Sequence, residues 1–211
     1  MFRKYASLSI IVLMALFSLW AAPQMPEIVP IHWTINGEVD AYGSPSMALR
    51  WLPVATLLIW GVGQLDAQQM KTKYPRVSQT TFSNVFVIVM LVMATIHVAI
   101  IKLTLGWQFD FVSLIMLLVS GLLMLIAVAV NVDEPNPYMG FRFPWIMDRP
   151  NLWKQVQTLG NRAFFALGFI TIVCVLLGQP IAAIAVLGVG IFLTVIVVGY
   201  TFYQHAKAGA I

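Results

Sequence analysis

Charge is scarce in this sequence. Charged side chains make up 9% of its 211 residues and hydrophobic ones 60%. A soluble globular domain carries about 25% charged residues, so this chain lacks the polar surface that such a domain presents to water. The scarcity excludes an ordinary soluble domain and predicts a protein that lies in a membrane. Direct nucleic-acid binding is not expected from the net charge of +4, because the basic residues stand in short clusters beside apolar segments.

Cysteine and catalytic motifs are scarce as well. Cys174 is the only cysteine and lies in an apolar run, which excludes an intrachain disulfide and a thiolate metal site. The sequence has no G-x-S-x-G, H-E-x-x-H or P-loop motif, and no pair of carboxylates within an apolar segment. We therefore expect a protein that is not an enzyme and needs no cofactor or metal. An enzyme that acts on lipid headgroups through His32 or Arg142 is the alternative.

The apolar residues are concentrated in six long segments. Each approaches or exceeds the roughly 20 residues that a helix needs to cross the hydrocarbon core, where backbone amides must bond within a helix. The predicted fold class is an all-α membrane protein, a bundle of about six transmembrane helices in a single domain, with a folded outer loop and a cytoplasmic loop containing a short interfacial helix. The predicted spans are residues 5–22, 47–66, 82–104, 111–131, 162–178 and 181–203, with the outer loop at 23–46 and the cytoplasmic loop at 132–161.

The N-terminus resembles a secretory signal, because two basic residues, Arg3 and Lys4, precede the first apolar run. The run is long for a signal, however, and Pro23 stands where a cleavable bond would follow Ala22. We therefore expect the first segment to be retained as a span.

The basic residues predict the orientation, because the cytoplasmic loops of membrane proteins are enriched in lysine and arginine. Ten lie inside if the N-terminus is cytoplasmic: Arg3, Lys4, Lys71, Lys73, Arg76, Arg142, Arg149, Lys154, Arg162 and Lys207. Only Arg50 and Lys102 then lie outside. We predict a multi-pass protein with both termini in the cytoplasm.

Dividing the chain after the third span gives two halves of three spans each. The second half would then be inverted relative to the first, as in inverted-repeat transporters. No residue-level repeat accompanies this division, so the inverted repeat is a hypothesis from span order alone.

The outer loop has the features of a folded segment. Three prolines stiffen the chain where it leaves the first span, since each fixes φ and lacks an amide donor. Asn36-Gly37 is a strong hairpin signal and stands between residues 31–33 and 39–42, which we expect to form two very short strands. The loop is therefore predicted to be a folded lid on the outer surface.

The cytoplasmic loop places Arg142 among aromatic residues, with Gly140 two positions before it and Pro144 two positions after. A guanidinium in this setting can bind a lipid phosphate, stack on Trp145 or satisfy carbonyls at a helix end. Residues 148–153 have the pattern of a capped helix start. They predict the short interfacial helix that leads into the fifth span.

Two motifs stand at the centre of these loops. The outer loop carries P-x-x-[VI]-P-[IV]-H-W-x-x-x-G-x-x-D-x-Y-G, and the cytoplasmic loop carries N-x-x-x-G-x-R-x-P-W. Together, in this order and with these spans around them, they resemble the SdpI family of bacterial membrane proteins. The matching residues are Pro26, Pro30, His32, Trp33, Gly37, Asp40 and Tyr42 in the outer motif, and Asn136, Gly140, Arg142, Pro144 and Trp145 in the cytoplasmic one. One departure is Ile146, where the family pattern has threonine.

The resemblance covers nearly the whole chain and implies six spans in the bacterial cytoplasmic membrane. The family's named member gives immunity to the SDP toxin, a secreted membrane-active peptide, and sequesters a small cytoplasmic repressor. The resemblance therefore implies three partners: membrane lipids, a peptide toxin on the outer face and a cytoplasmic transcriptional repressor. The outer motif becomes the candidate site for toxin or ligand, and the second motif the candidate site on the cytoplasmic face.

Two histidines need separate consideration. His32 has several carboxylates near it in sequence, but they lack the spacing of a metal site, so a structural hydrogen bond or a ligand contact is expected rather than zinc. His97 lies within the third span, where an ionisable group is a functional candidate because its solvation is costly. A neutral ring bonded to a neighbouring carbonyl is the alternative. Arg50 and Asp66 flank the second span, and we expect both to be interface anchors.

The leading functional hypothesis is an SdpI-like membrane protein that gives immunity to, or senses, a secreted membrane-active peptide and signals to a cytoplasmic repressor. The alternative is a small transporter or lipid-handling protein that binds an anionic headgroup near Arg142. A structural scaffold is a third hypothesis, and it predicts that the protein contains no cavity.

Overall fold

The structure is a computed structural model, and it describes residues 2–73, 79–129, 135 and 140–207. Long helices dominate these residues, which confirms the all-α class. The helices are α1 (Phe2–Ala21), α2 (Pro45–Lys73), α3 (Gln79–Thr104), α4 (Phe111–Ala129), α5 (Pro150–Leu176) and α6 (Pro180–Lys207). Two short strands, β1 (Val29–Trp33) and β2 (Val39–Gly43), lie between α1 and α2.

All six helices are long and apolar enough to cross a membrane. The shortest qualifying segment, Phe111–Ala129, has 19 residues, and the longest, Pro150–Leu176, has 27. At about 1.5 Å per residue, even the shortest approaches the roughly 30 Å hydrocarbon core. The protein is therefore a multi-pass membrane protein.

Helix α5 begins earlier than the sequence predicted. It starts at Pro150 instead of residue 162, so residues 150–161, assigned to the cytoplasmic loop, are helical. Proline fits the first helical position because its missing amide hydrogen would be unbonded there anyway. The first three turns are amphipathic, and they bury Leu152, Trp153 and Val156. The predicted interfacial helix is thus present as the first turns of α5 rather than as a separate helix.

The chain divides into two compact units. The first consists of Met1–Pro75 and Phe82–Ile115, and the second of Arg76–Thr81 and Met116–Ile211. The first unit therefore contains α1, α2, the strands β1 and β2 and nearly all of α3, while the second contains most of α4 together with α5 and α6. The division falls near the one that the order of spans suggested. The inverted relation between the halves and the single domain both stay predictions.

In the first unit a polar contact links three helices. The hydroxyl oxygen of Ser18 in α1 lies 2.8 Å from Nε2 of His97 in α3 and 2.8 Å from the carbonyl oxygen of Leu49 in α2. A hydroxyl has one proton but accepts readily, so Nε2–H of His97 can donate to Ser18 while the Ser18 hydroxyl donates to a carbonyl. Nδ1 of His97 is buried and has no hydrogen-bond partner among the described residues. Polar side chains that bond between helices are typical of membrane proteins.

In the second unit a tight turn joins α5 and α6. Gly178 adopts a positive φ of 71°, and its amide donates to the carbonyl of Val175 at 2.9 Å. The core of this unit lies at the start of α5 and the end of α6. Its buried members are Phe141, Ile146, Leu152, Trp153, Val156, Val198 and Phe202.

Candidate functional site

The outer motif folds into an antiparallel β-hairpin, which we call the hairpin (Val29–Gly43). Pro30 pairs with Tyr42 and Trp33 with Val39, and the register is irregular around His32. Such irregularities in a strand re-aim its side chains and increase its twist. The hairpin therefore confirms the two short strands that Asn36-Gly37 predicted.

The hairpin turn depends on Thr34 and Gly37. The amide of Thr34 donates to the carbonyl of Glu38 at 2.8 Å, and the amide of Gly37 donates to the carbonyl of Thr34 at 2.9 Å. Gly37 has a φ of +84°, whereas no other described residue of this turn has a positive φ. This is the three-residue hairpin loop with glycine in the left-handed position, because a two-residue type I′ turn would need a positive φ at Asn36 as well.

One face of the hairpin is apolar and packs against the first unit. Val29 is fully buried, and the ring of Trp33 lies 4.7 Å, centroid to centroid, from that of Phe111, the first residue of α4. Asp110 caps this helix, since its carboxylate accepts hydrogen bonds from the amide and the hydroxyl of Ser113. These bonds, led by the hydroxyl, lower the pKa of Asp110 below its ordinary value. The hairpin thus packs, through Trp33, against the capped N-terminal end of α4.

The opposite face of the hairpin is polar and exposed. Nδ1 of His32 lies 2.6 Å from Oδ1 of Asp40 across the two strands, and the two side chains are 67% and 44% exposed. Because an ionised carboxylate only accepts, Nδ1 carries the proton, and Nε2 is an acceptor in the neutral ring. Tyr42 is also exposed on β2. The hydrogen bond orients the imidazole so that it can meet an approaching ligand.

The described side chains do not form a metal site here. No three histidine, cysteine, aspartate or glutamate side chains among them lie close enough together to hold a metal ion. His32 has one carboxylate partner, Asp40, and that contact is a hydrogen bond. The arrangement fits the structural bond or ligand contact that the sequence predicted for His32.

An apolar groove runs under the hairpin. It has a volume of about 450 Å³ and lies between β1, the first turns of α2 and the last turns of α3. Its walls include Ile31 and Trp33 from β1, Ala48 and Trp51 from α2, and Ile96 and Ile100 from α3. The sequence predicted a lid, and the structure adds the space beneath it.

The second motif forms a different kind of structure, which we call the aromatic loop (residues 140–149). Phe141 is buried, Arg142 exposed and Phe143 half-buried, so the side chains alternate as in an extended chain. The ring of Trp145 stacks on Phe143 at 5.0 Å with an interplanar angle of 9° and meets Tyr203 of α6 at 5.4 Å. Inward-facing rings thus hold Arg142 at the surface.

The side chain of Gln157 hydrogen-bonds α5 to the aromatic loop. Gln157 is fully buried; its Nε2 donates to the carbonyl of Phe141 at 2.7 Å, and its Oε1 accepts from the amide of Phe141 at 2.9 Å. The amide group thereby replaces a paired strand and satisfies both backbone groups of one residue. Gln157 lies outside the cytoplasmic motif, so the motif did not reveal it. The one signal in the sequence was that Gln157 is an uncharged polar residue among apolar ones on the buried face of α5.

Gly160 makes room for this contact. A Cβ atom at this position would lie 2.0 Å from Cε2 of Phe141, so only glycine admits the ring at its present place. Phe141 in turn packs on Phe164 with ring centroids 4.9 Å apart. The close approach of α5 and the loop therefore depends on a glycine one turn after Gln157.

The structure places the remaining motif residues as follows. Pro26 is exposed and precedes β1, Gly140 has a φ of +97°, and Pro144 opens a short 3-10 turn. Ile146, the departure from the family pattern, is fully buried in the core of the second unit, where a threonine hydroxyl would need a partner. Asn136 lies outside the described residues.

Comparison with known proteins matches both motif-bearing segments. Residues 133–203 match the SdpI/YfhL protein family, and residues 9–57 match a domain of unknown function, DUF1648. The first range includes the aromatic loop and α5, and the second includes the hairpin.

One relative is similar over most of the chain. It is the immunity protein SdpI of Bacillus subtilis (strain 168), 20% identical over 168 residues, which are 80% of this chain and 79% of the relative. No solved structure matches the chain. The chain is therefore similar to the SdpI/YfhL protein family over residues 133–203 and to this immunity protein over most of its length, and its long apolar helices give it the character of a membrane protein.

Proposed function

We propose that this protein protects the membrane from a secreted membrane-active peptide, or senses it, and that the polar face of the hairpin contacts the peptide. The observation that carries the proposal is the exposed hydrogen bond between His32 and Asp40. This bond fixes the orientation of the imidazole on the exposed face of the hairpin, whose other face packs against the first unit. Tyr42 is exposed on β2 beside it. Polar groups that are ordered before binding lose less entropy on contact with a ligand, so they suit recognition.

The proposed orientation puts the hairpin outside the cell. Ten of the twelve basic residues then lie on the cytoplasmic side, as the positive-inside rule requires. A peptide secreted by the same or a neighbouring cell would arrive at the hairpin. The aromatic loop would face the cytoplasm, where it would signal to a protein such as a transcriptional repressor. No catalytic step is part of this proposal.

Survival of a toxin-sensitive host that expresses the chain tests the proposal. The intact protein should protect against added SDP peptide, while His32→Ala and Asp40→Ala should weaken protection without lowering the amount of protein in the membrane. His205→Ala is the matched control, because His205 is also exposed but lies near the end of α6. Failure of the intact protein to protect against any membrane-active peptide tried would refute immunity. Full protection by both hairpin variants would refute the contact with His32 and Asp40.

Thiol labelling tests the orientation in the same cells. Cys174 is the only cysteine, so Cys174→Ala removes background labelling. An impermeant maleimide added outside should then label Asn36→Cys, at the hairpin turn, and leave His205→Cys unlabelled. The opposite pattern would place the hairpin in the cytoplasm and exclude its contact with a secreted peptide.

A second candidate function is the binding of an anionic headgroup at Arg142, as in a lipid-handling protein or small transporter. The observation that favours it is that Arg142 is exposed between two inward-facing rings, so its guanidinium is presented at the surface. Arg142→Gln should then reduce lipid binding or transport and leave the hairpin's contacts intact. Protection lost in Arg142→Gln with unchanged lipid binding would favour signalling instead.

A further inference from the structure

The groove under the hairpin has a polar edge on α2. A smaller groove of about 310 Å³ is lined by Ser46, Met47, Arg50, Trp51 and Val54, and it shares Met47 and Trp51 with the larger one. The two grooves are therefore neighbours: the walls of the larger one are mainly apolar, whereas the smaller one has a guanidinium and a hydroxyl. None of the residues that line either groove is acidic.

Water is an unsuitable occupant for the apolar groove. A buried water needs two to four polar partners, whereas the side chains that line this groove are apolar except for the indole N–H groups of Trp33 and Trp51. The volume of about 450 Å³ equals that of roughly fifteen liquid waters, at about 30 Å³ each, so the groove is large enough for a chain of methylene groups. Its position also suits such a chain, because Ala48 and Leu52 lie within about 10 Å of the first residue of α2 and hence near a membrane surface.

The polar edge has the chemistry of a phosphate site. Arg50 is exposed, and arginine binds phosphate through paired N–H donors. Ser46 lies one turn before it, and its hydroxyl is 2.8 Å from that of Ser44. Both serines flank Pro45, the first residue of α2, where the helix dipole adds partial positive charge.

A third groove, between α1 and α3, shows what a simple lipid-facing depression looks like. It has a similar volume of about 460 Å³, but its walls, which include Leu13, Phe17 and Leu91, contain no cation. The groove under the hairpin differs in two respects, since β1 forms one of its walls and Arg50 lies at its edge. Those two features distinguish a specific site from general contact with acyl chains.

We propose that the groove under the hairpin binds one anionic phospholipid, with an acyl chain along Ile31, Ala48 and Ile100 and the phosphate against Arg50 and Ser46. This site lies in the first unit and is separate from the headgroup site considered at Arg142. A lipid in this position would touch β1 on its apolar face and leave His32 and Asp40 exposed. It would therefore stabilise the hairpin without occupying the surface proposed to meet the peptide.

Native mass spectrometry of the full chain in mild detergent, titrated with phosphatidylglycerol, tests this proposal. The wild type should hold one molecule in preference to further ones and prefer it to phosphatidylcholine. Arg50→Gln should bind it about five- to tenfold more weakly, as expected for the loss of one basic residue at an anionic headgroup. Lys102→Gln is the matched control, because Lys102 lies in the last turn of α3 and its Nζ is already 3.8 Å from the centre of the Trp107 ring.

Two variants that fill the groove separate the acyl chain from the headgroup. Ala48→Phe and Ile100→Trp each add bulk from a different wall and should abolish the preferred molecule while leaving Arg50 in place. Thermal unfolding shows whether each of the two variants is folded, and only a folded variant is titrated with phosphatidylglycerol. Glycerol phosphate, which has no acyl chain, should not compete.

Several results would overturn the proposal. One is unchanged binding in Arg50→Gln, or in a folded groove-filling variant. Another is loss of binding in Arg142→Gln alone, which would place the site in the second unit. Competition by glycerol phosphate would mean that only a headgroup is bound. A lipid-free dimer that Ala48→Phe dissociates would show that a second copy of the chain covers the groove.

Discussion

The hairpin and the aromatic loop are both ordered, but different interactions order them. The hairpin is held by paired backbone groups, so its polar side chains are free to face outward. The aromatic loop is held by side chains, namely a set of packed rings and the amide of Gln157. A segment stabilised by its backbone can vary its exposed residues at little cost, whereas one stabilised by side chains depends on each buried partner. Substitutions should therefore affect the two segments unequally.

The largest effect is expected from Gln157→Leu. The change leaves the amide and the carbonyl of Phe141 without their buried partner, and each loss costs about 1–3 kcal/mol. We expect the free energy of unfolding to fall by about 2–6 kcal/mol. The measurement is thermal unfolding in detergent, followed by a thiol-reactive dye that reports exposure of Cys174, the only cysteine.

Gln155→Leu is the control for this prediction. Gln155 lies on the same helix but is exposed, so its replacement should change the unfolding temperature little. If both variants unfolded at the same temperature as the wild type, the amide of Gln157 would not be what holds the aromatic loop.

An intermediate effect is expected from Gly37→Ala in the hairpin. A Cβ atom there would make an ordinary van der Waals contact with Cγ2 of Val112 at 3.5 Å, so the cost comes from the backbone. The φ of +84° costs a residue with a side chain about 1–2 kcal/mol. Limited digestion with chymotrypsin should then cut more rapidly at Trp33 and Tyr42. Gly37→Asn should be cut at a rate nearer that of the wild type, because asparagine tolerates this conformation.

The smallest effect is expected from the helix cap under the hairpin. The lowered pKa of Asp110 means that its charged form stabilises the fold above its unfolded pKa of about 3.9, and that this stabilisation is lost as pH falls through the lowered value. The carboxylate is largely exposed, so the contribution is screened by solvent and amounts to a few tenths of a kcal/mol.

Asp110→Asn tests whether the charged form of Asp110 stabilises the fold. Asparagine also caps a helix, so the variant should unfold slightly below the wild type at pH 7, and the difference should disappear as the pH falls through the lowered pKa of Asp110. Tryptophan fluorescence, which includes Trp33 beside Phe111, can follow unfolding in both. A difference that grew as the pH fell would contradict the assignment of Asp110 as a charged cap.

Some of this structure was predictable because its causes are local. Asn36-Gly37 predicted the hairpin, since a glycine that can adopt a positive φ makes the turn possible. The predicted fifth span, residues 162–178, begins later than α5 does, because hydropathy detects where a helix enters the bilayer and not where it begins. Residues 150–161 are too polar to be a span, yet an amphipathic helix can form there against the aromatic loop.

The sequence by itself determined that this protein spans a membrane, that about six helices do so, and that a hairpin interrupts them. These follow from apolar length and turn chemistry, which act over a few residues. Only the tertiary structure decided that Gln157 bonds to Phe141, that Ser18 meets His97, and that a groove with Arg50 at its edge lies under the hairpin. Those features join residues far apart in the chain, and the packing of side chains between helices sets them.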